Sequence, residues 1–113
     1  MHEYSIVQSL LESCEDYAKQ NEAKEVTKVI VKIGILSGVE PDLLKTAFDT
    51  FKEKTICNNA IFEMIIQKIE ISCNSCNTNS ILEKHEFSCP KCESVDVRVT
   101  DGEDMFLMSL EMI

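Results

Sequence analysis

Cys73-Asn-Ser-Cys76 and, twelve residues on, Cys89-Pro-Lys-Cys92 decide how this chain is read. Two C-x-x-C pairs at that separation can close a tetrahedron of four thiolates around one Zn2+, and Pro90 stiffens the turn of the second loop. A pair of local disulfides would need an oxidising compartment, and a thioredoxin-like redox couple would need one pair only. Cys73, Cys76, Cys89 and Cys92 are therefore the expected ligands of a structural zinc, and four sulfurs leave no open position for catalysis.

The flanks of this stretch set the fold. Residues 60–72 are rich in isoleucine and read as one strand, with Phe62, Met64 and Ile66 on one face and Ile65, Ile69 and Ile71 on the other. After the cysteines, Val95, Val97 and Val99 alternate as a short strand, and Asp101-Gly102 marks a turn. The chain closes with a strand over 105–113 whose Phe106, Met108, Leu110 and Met112 share a face; methionines at that spacing read as core, because Met fills irregular gaps. A single closing strand needs sheet partners, so the cysteine module is expected to be an insertion between two strands of one sheet.

Working back to the start, Ile6, Val7, Leu10, Leu11, Cys14, Tyr17 and Ala18 recur at helical spacing. The predicted helix starts near Glu3 or Tyr4 and fades at Gln20-Asn21, with Cys14 as a small core residue. A strand follows over 25–35, where Val29, Val31, Ile33 and Ile35 alternate with Lys28, Ile30, Lys32 and Gly34. Glu40-Pro41-Asp42 then opens a second helix, buried through Leu44, Ala47, Phe48 and Phe51. Cys57-Asn58-Asn59 reads as a turn, with Cys57 unpaired and structural. The expected class is α+β: a three-stranded sheet packed with two helices, plus an inserted zinc-ribbon module. The expected domains are 1–72 with 100–113 for the α/β part and 73–99 for the ribbon.

Composition excludes several functions. With 113 residues, 44% hydrophobic, the chain fits one small domain plus a module that needs a staple. A net charge of -9 and a pI near 4.6 argue against a nucleic-acid partner. The cysteine segment has no basic patch either: Lys84, Lys91 and Arg98 stand against Glu83, Glu86, Glu93 and Asp96. No apolar run is long enough to span a membrane, and Met1-His2-Glu3-Tyr4 lacks the charge and apolar run of a secretory signal, so a cytoplasmic location is expected.

The first three residues carry a second metal signal. The Met1 amine, the His2 amide and the His2 ring nitrogen close a five- and a six-membered chelate ring, and three in-plane nitrogens suit Ni(II) or Cu(II). A second-position histidine has an equally plain reading as an exposed side chain.

These features together, Met1-His2-Glu3-Tyr4-Ser5, Gly34 through Glu40-Pro41, and C-x-x-C, twelve residues, C-P-x-C, resemble the HypA/HybF family of hydrogenase and urease nickel-incorporation proteins along essentially the whole chain. The resemblance implies a nickel metallochaperone in place of an enzyme. It implies Ni2+ as cargo on the Met1 amine and His2, with Glu3 a further donor, and Zn2+ on the four cysteines. It implies a HypB-type GTPase partner, delivery to the [NiFe] hydrogenase large subunit or its maturation complex, and in some members work with urease accessory proteins. Some relatives carry a His near the second cysteine pair, where this chain has Glu93. His85 and Glu40 are further candidates for the nickel, with a surface position and a helix-capping role as their plain alternatives. The reading from a different class is a zinc-ribbon interaction module with no second metal. A catalyst is least supported, because no nucleophile-base set and no phosphate-binding glycine loop is present.

Overall fold

The computed structural model describes residues 2–83 and 86–113, with His2 given by its backbone. In chain order the elements are α1 (His2–Gln20), β1 (Val26–Gly34), α2 (Pro41–Phe51), β2 (Ile61–Gln67), β3 (Ile69–Cys73), β4 (Asn79–Leu82), β5 (Val97–Asp101) and β6 (Met105–Met112). They form two three-stranded sheets, ordered β2-β1-β6 and β4-β3-β5. Both β2 and β6 share a sheet with β1, so the cysteine segment is inserted between two strands of one sheet, and the α+β class holds. The chain divides into two compact units: Met1–Lys32 with Val39–Ile65 and Phe106–Ile113, and Ile33–Gly38 with Ile66–Met105. No helix among the described residues is long and apolar enough to cross a membrane.

The first unit builds its core from two helical stripes and the strands β1 and β2. Helix α1 buries Val7, Leu10, Leu11, Cys14 and Ala18, α2 buries Leu44, Ala47 and Phe48, and β1 adds Val26, Val29 and Val31. The Phe48 ring stacks on Phe62 of β2 at 4.4 Å and 14°, an arrangement that adds to the gain from burying two large rings. Cys14 and Cys57 are free thiols with no exposed surface. A hydrogen bond to Cys14, together with burial, holds the Cys57 thiol well above its ordinary pKa, so it stays protonated as a small core group. The Glu15 carboxylate accepts from the Ile56 N–H at 3.2 Å and so fixes the turn that carries Cys57.

Three expectations fail at the edges of this unit. Tyr17 and Phe51 lie in their predicted helical stripes but are 47% and 38% exposed; Phe51 meets Tyr4 edge to face at 5.0 Å. The methionine stripe of β6 is not core: Phe106 and Met108 are 46% and 50% exposed, and no residue of β6 is buried. Alternation shows that one face of a strand is apolar, and whether another layer covers that face is decided elsewhere in the chain.

A fourth correction separates the two units. The stretch 60–72 is not one strand: it breaks at Lys68 into β2 and β3, which belong to different sheets. In β2 the buried residue is Phe62, an even position, whereas β3 buries Ile69, Ile71 and Cys73, all odd. A slip of one residue turns the apolar set to the opposite face, and here the chain uses that slip to change sheets.

In the second unit β3 is central. It pairs antiparallel with β4 (Ile69 opposite Leu82, Ser72 opposite Asn79) and with β5 (Ser72 opposite Arg98, Cys73 opposite Val97). The apolar cluster is small: Ile69, Ile71 and Leu82, with Leu36, Val97 and Val99 half-buried against it. Backbone contact does some of the work that side chains cannot. The Gly34 N–H donates to Asp104 O at 2.9 Å, and Leu36 N–H donates to Gly102 O at 2.8 Å. A Cβ on Gly34 would stand 2.3 Å from Gly102 O, which is backbone and cannot swing away. Gly102 itself has φ +100, a conformation open to glycine.

Gly34→Ala is therefore expected to lower stability by about 1–3 kcal/mol through overpacking. The measurement is equilibrium urea unfolding of the metal-loaded protein, where a lowered midpoint at unchanged slope is the predicted result.

Candidate metal centre

Each cysteine pair sits on the same backbone device. Asn77 N–H donates to Cys73 O at 3.0 Å and Cys73 N–H donates to Thr78 O at 2.9 Å. Sixteen residues on, Glu93 N–H donates to Cys89 O at 2.8 Å and Cys89 N–H to Ser94 O at 2.8 Å. In both turns the residue after the second cysteine takes a left-handed conformation, Asn77 at φ 58 and Glu93 at φ 64. Asparagine tolerates that region, while glutamate is strained in it. The two turns thus present their thiols from matching loops, one leaving β3 and one ahead of β5.

The result is one cluster. The Sγ atoms of Cys73, Cys76, Cys89 and Cys92 all lie within 4.8 Å of one another. Cys73 to Cys92 is 3.5 Å and Cys76 to Cys89 is 3.7 Å. A tetrahedral zinc with Zn–S bonds of about 2.3 Å sets its sulfurs about 3.8 Å apart, so the donor set fits that ion in type, number and spacing. Cys73 and Cys89 are buried and Cys76 and Cys92 exposed, leaving one side of the cluster open to water. Among the described residues no other group of three or more His, Cys, Asp or Glu converges in this way.

The local electrostatics explain why these sulfurs call for a cation. The Thr78 hydroxyl, 3.2 Å from Cys76 Sγ, lowers that thiol to about 6. The N–H groups of Cys92 and Lys91 lower Cys89. Cys92 goes the other way, up to about 12: the Ser94 N–H works to lower it, but the sulfurs of Cys73, Cys76 and Cys89 and the loss of some hydration outweigh that. Like charges at this spacing cannot all form unless a positive ion sits among them.

Further polar residues support the cluster that the reading of the sequence did not single out. Asn74 Nδ2 donates to Asp96 Oδ1 at 3.1 Å, Arg98 Nη1 donates to Asn74 Oδ1 at 3.0 Å, and the Ser75 and Ser94 hydroxyls pair at 2.8 Å. These contacts depend on strand register, which no motif spacing reports.

The expected nickel residues are described less fully. Met1, the His2 side chain and His85 lie outside the described residues. Helix α1 begins at His2, so the amides of His2 and Glu3 fall in a first turn, where N–H groups have no intrahelical acceptor. Glu3 is half-buried. Glu40 stands at the N-cap of α2, but its side chain makes no capping bond.

Known proteins similar to this chain agree with one another. The family model for HypA, described as hydrogenase/urease nickel incorporation, metallochaperone, matches residues 1–112. The hydrogenase maturation factor HypA of Aquifex aeolicus is 54% identical over 112 residues, spanning 99% of this chain and 97% of the relative. Two solution structures share the fold. The nickel metallochaperone HypA from Helicobacter pylori has a TM-score of 0.71 at 38% identity, over 98% of this chain and 97% of its own. A second HypA protein has a TM-score of 0.77 at 39% identity, over 100% of this chain and 97% of its own. With near-complete coverage in sequence and in structure, the chain belongs to the HypA family of hydrogenase/urease nickel-incorporation metallochaperones, whose role is to carry a metal and not to catalyse a reaction.

Proposed function

We propose that this chain carries Ni(II) on the Met1 amine, the His2 amide and the His2 imidazole, with Glu3 as a further donor, and gives it up for maturation of [NiFe] hydrogenase. The observation that carries this reading is the family match beginning at residue 1, which takes in Met1-His2-Glu3. In the same reading Cys73, Cys76, Cys89 and Cys92 hold a resident Zn2+, which when bound neutralises part of the thiolate charge and cross-links the two cysteine turns. The carrier works in the cytoplasm, where thiols such as Cys14 and Cys57 stay reduced. Its partners are a HypB-type GTPase and the hydrogenase large subunit, and urease is a second client. With no phosphate-binding glycine loop of its own, this chain leaves nucleotide hydrolysis to the GTPase.

The chemistry of the two donor sets separates their tasks. Four thiolates in a closed tetrahedron retain zinc, because no ligand position is open to a competitor. Three nitrogens at a chain end bind nickel in a plane and leave its remaining positions open, so an incoming ligand on the recipient can attach before the carrier lets go. The first turn of α1 supports the amide's part in this: its N–H has no helical acceptor, and the positive end of the helix favours a deprotonated, anionic nitrogen.

Nickel titration of protein with an unblocked N-terminus tests the reading. The expected result is one nickel per chain for the wild type and none for His2→Ala, with zinc content and far-UV circular dichroism unchanged between them. Retained zinc without nickel uptake by the wild type would leave only a zinc-ribbon interaction module.

Acidity supplies a second test with a definite sign. Protons compete with nickel for the imidazole, whose ordinary pKa is about 6.5, and for the amine and amide. The imidazole alone predicts an affinity at least about thirtyfold lower at pH 5 than at pH 7.5; equal affinities would rule out these nitrogens as ligands.

A further inference from the structure

We propose that Asn74, Asp96 and Arg98 form a clasp that positions the two cysteine turns and sets how slowly the metal between them leaves. The inference rests on the zinc reading of the cluster and adds positioning residues that are not ligands themselves. Its basis is the register of β3 and β5. Cys73 lies opposite Val97 and Ser72 opposite Arg98, so the next step of the same antiparallel ladder puts Asn74 opposite Asp96. The backbone continues the ladder to that point, with Asn74 N–H donating to Asp96 O at 2.9 Å. Because side chains alternate, Asn74, Asp96 and the diagonal neighbour Arg98 share one face and can meet.

The three groups have roles that do not interchange. A guanidinium only donates and a carboxylate only accepts. Arg98 Nη1 at 3.0 Å from Asn74 Oδ1 and Asp96 Oδ1 at 3.1 Å from Asn74 Nδ2 therefore fix the amide in one orientation. The amide supplies the donor and the acceptor from one group; Asp would drop the bond to Asp96. Asn74 lies inside the first C-x-x-C turn and Asp96 lies just beyond the second, so their bond ties one turn to the exit of the other. Ser94 reinforces it, its Oγ accepting from Asp96 N–H at 3.1 Å and pairing with Ser75 Oγ at 2.8 Å. Arg98 is also the one arginine in the sequence, a cation beside a site that carries two net negative charges when four thiolates hold a divalent ion.

The clasp residues are exposed, so water competes for each bond and the contribution is modest. A modest contribution has its clearest readout in the rate at which the turns part and metal escapes. Ordinary surface bonding would alter general stability without any dependence on which partner carries the donor.

The test is a donor exchange. Asn74→Asp keeps the acceptor for Arg98 but sets two carboxylates face to face; adding Asp96→Asn restores a donor opposite the new carboxylate and returns the net charge to that of the wild type. Zinc content of the purified wild type is measured first, then the rate of zinc transfer to excess chromogenic chelator at pH 7.5, with the ligand-field spectrum of the Co(II)-substituted protein as a check on the site. Release about tenfold faster is expected for Asn74→Asp, with recovery to within about twofold of wild type in the double variant. Should Asn74→Asp fail to fold, Arg98→Ala decides the same question, with faster release expected. Wild-type protein that binds no zinc would overturn the zinc reading and the clasp with it. Zinc present, with release unchanged by these variants or not slowed again by the second substitution, would overturn the clasp alone.

Discussion

Four cysteine sulfurs within 4.8 Å of one another are the constraint on which the second unit depends. Left to themselves they disagree about protons, with Cys76 drawn down to about 6 and Cys92 pushed up to about 12. A divalent ion resolves the disagreement by allowing all four to ionise. The apolar contribution around them is slight, with three buried side chains and three half-buried ones in the cluster under β3. A core of that size is small against the entropy of ordering the 46 residues of Ile33–Gly38 and Ile66–Met105, which is the usual reason a small module carries a metal.

The first unit is under no such constraint. Its core draws on two helices and two strands, and includes the stacked pair Phe48 and Phe62. That difference gives the two metals different standing. In the proposed function zinc belongs to the structure of its unit, its donor set closed and held in matching turns. Nickel in the same reading is cargo, and a chain end can gain or lose it without disturbing the core of its unit. A carrier needs this asymmetry, since a cargo that held the protein together could not be given away.

Much of this was legible because the strongest signals are local. The C-x-x-C spacing marks the cysteine turns, and the period of 3.6 over Val7, Leu10, Leu11, Cys14 and Ala18 marks α1. What local pattern does not carry is whether an apolar face is covered. Phe106 and Met108 alternate like core residues and are exposed. The break at Lys68 left a trace, a change of parity from Phe62 to Ile69 and Ile71, but two faces of one strand give the same pattern. Strand β4 has four residues and no periodicity of its own, and exists through its pairing with β3. The clasp at Asn74 was out of reach for the same reason: Asn74 is 22 and 24 residues from its two partners and meets them only once the register of β3 and β5 is set.

The central claim is that the cysteine unit owes its order to the ion while the helical unit does not. Amide NMR spectra of one sample, taken with zinc bound, after its removal by a chelator, and after one equivalent is returned, test this most directly. The account predicts that the amides of Cys73, Asn74 and Cys89 collapse to unstructured positions on removal and return with the ion, while those of Leu11 and Phe48 stay where they are. Amides of the cysteine turns that keep their positions in zinc-free protein would contradict it.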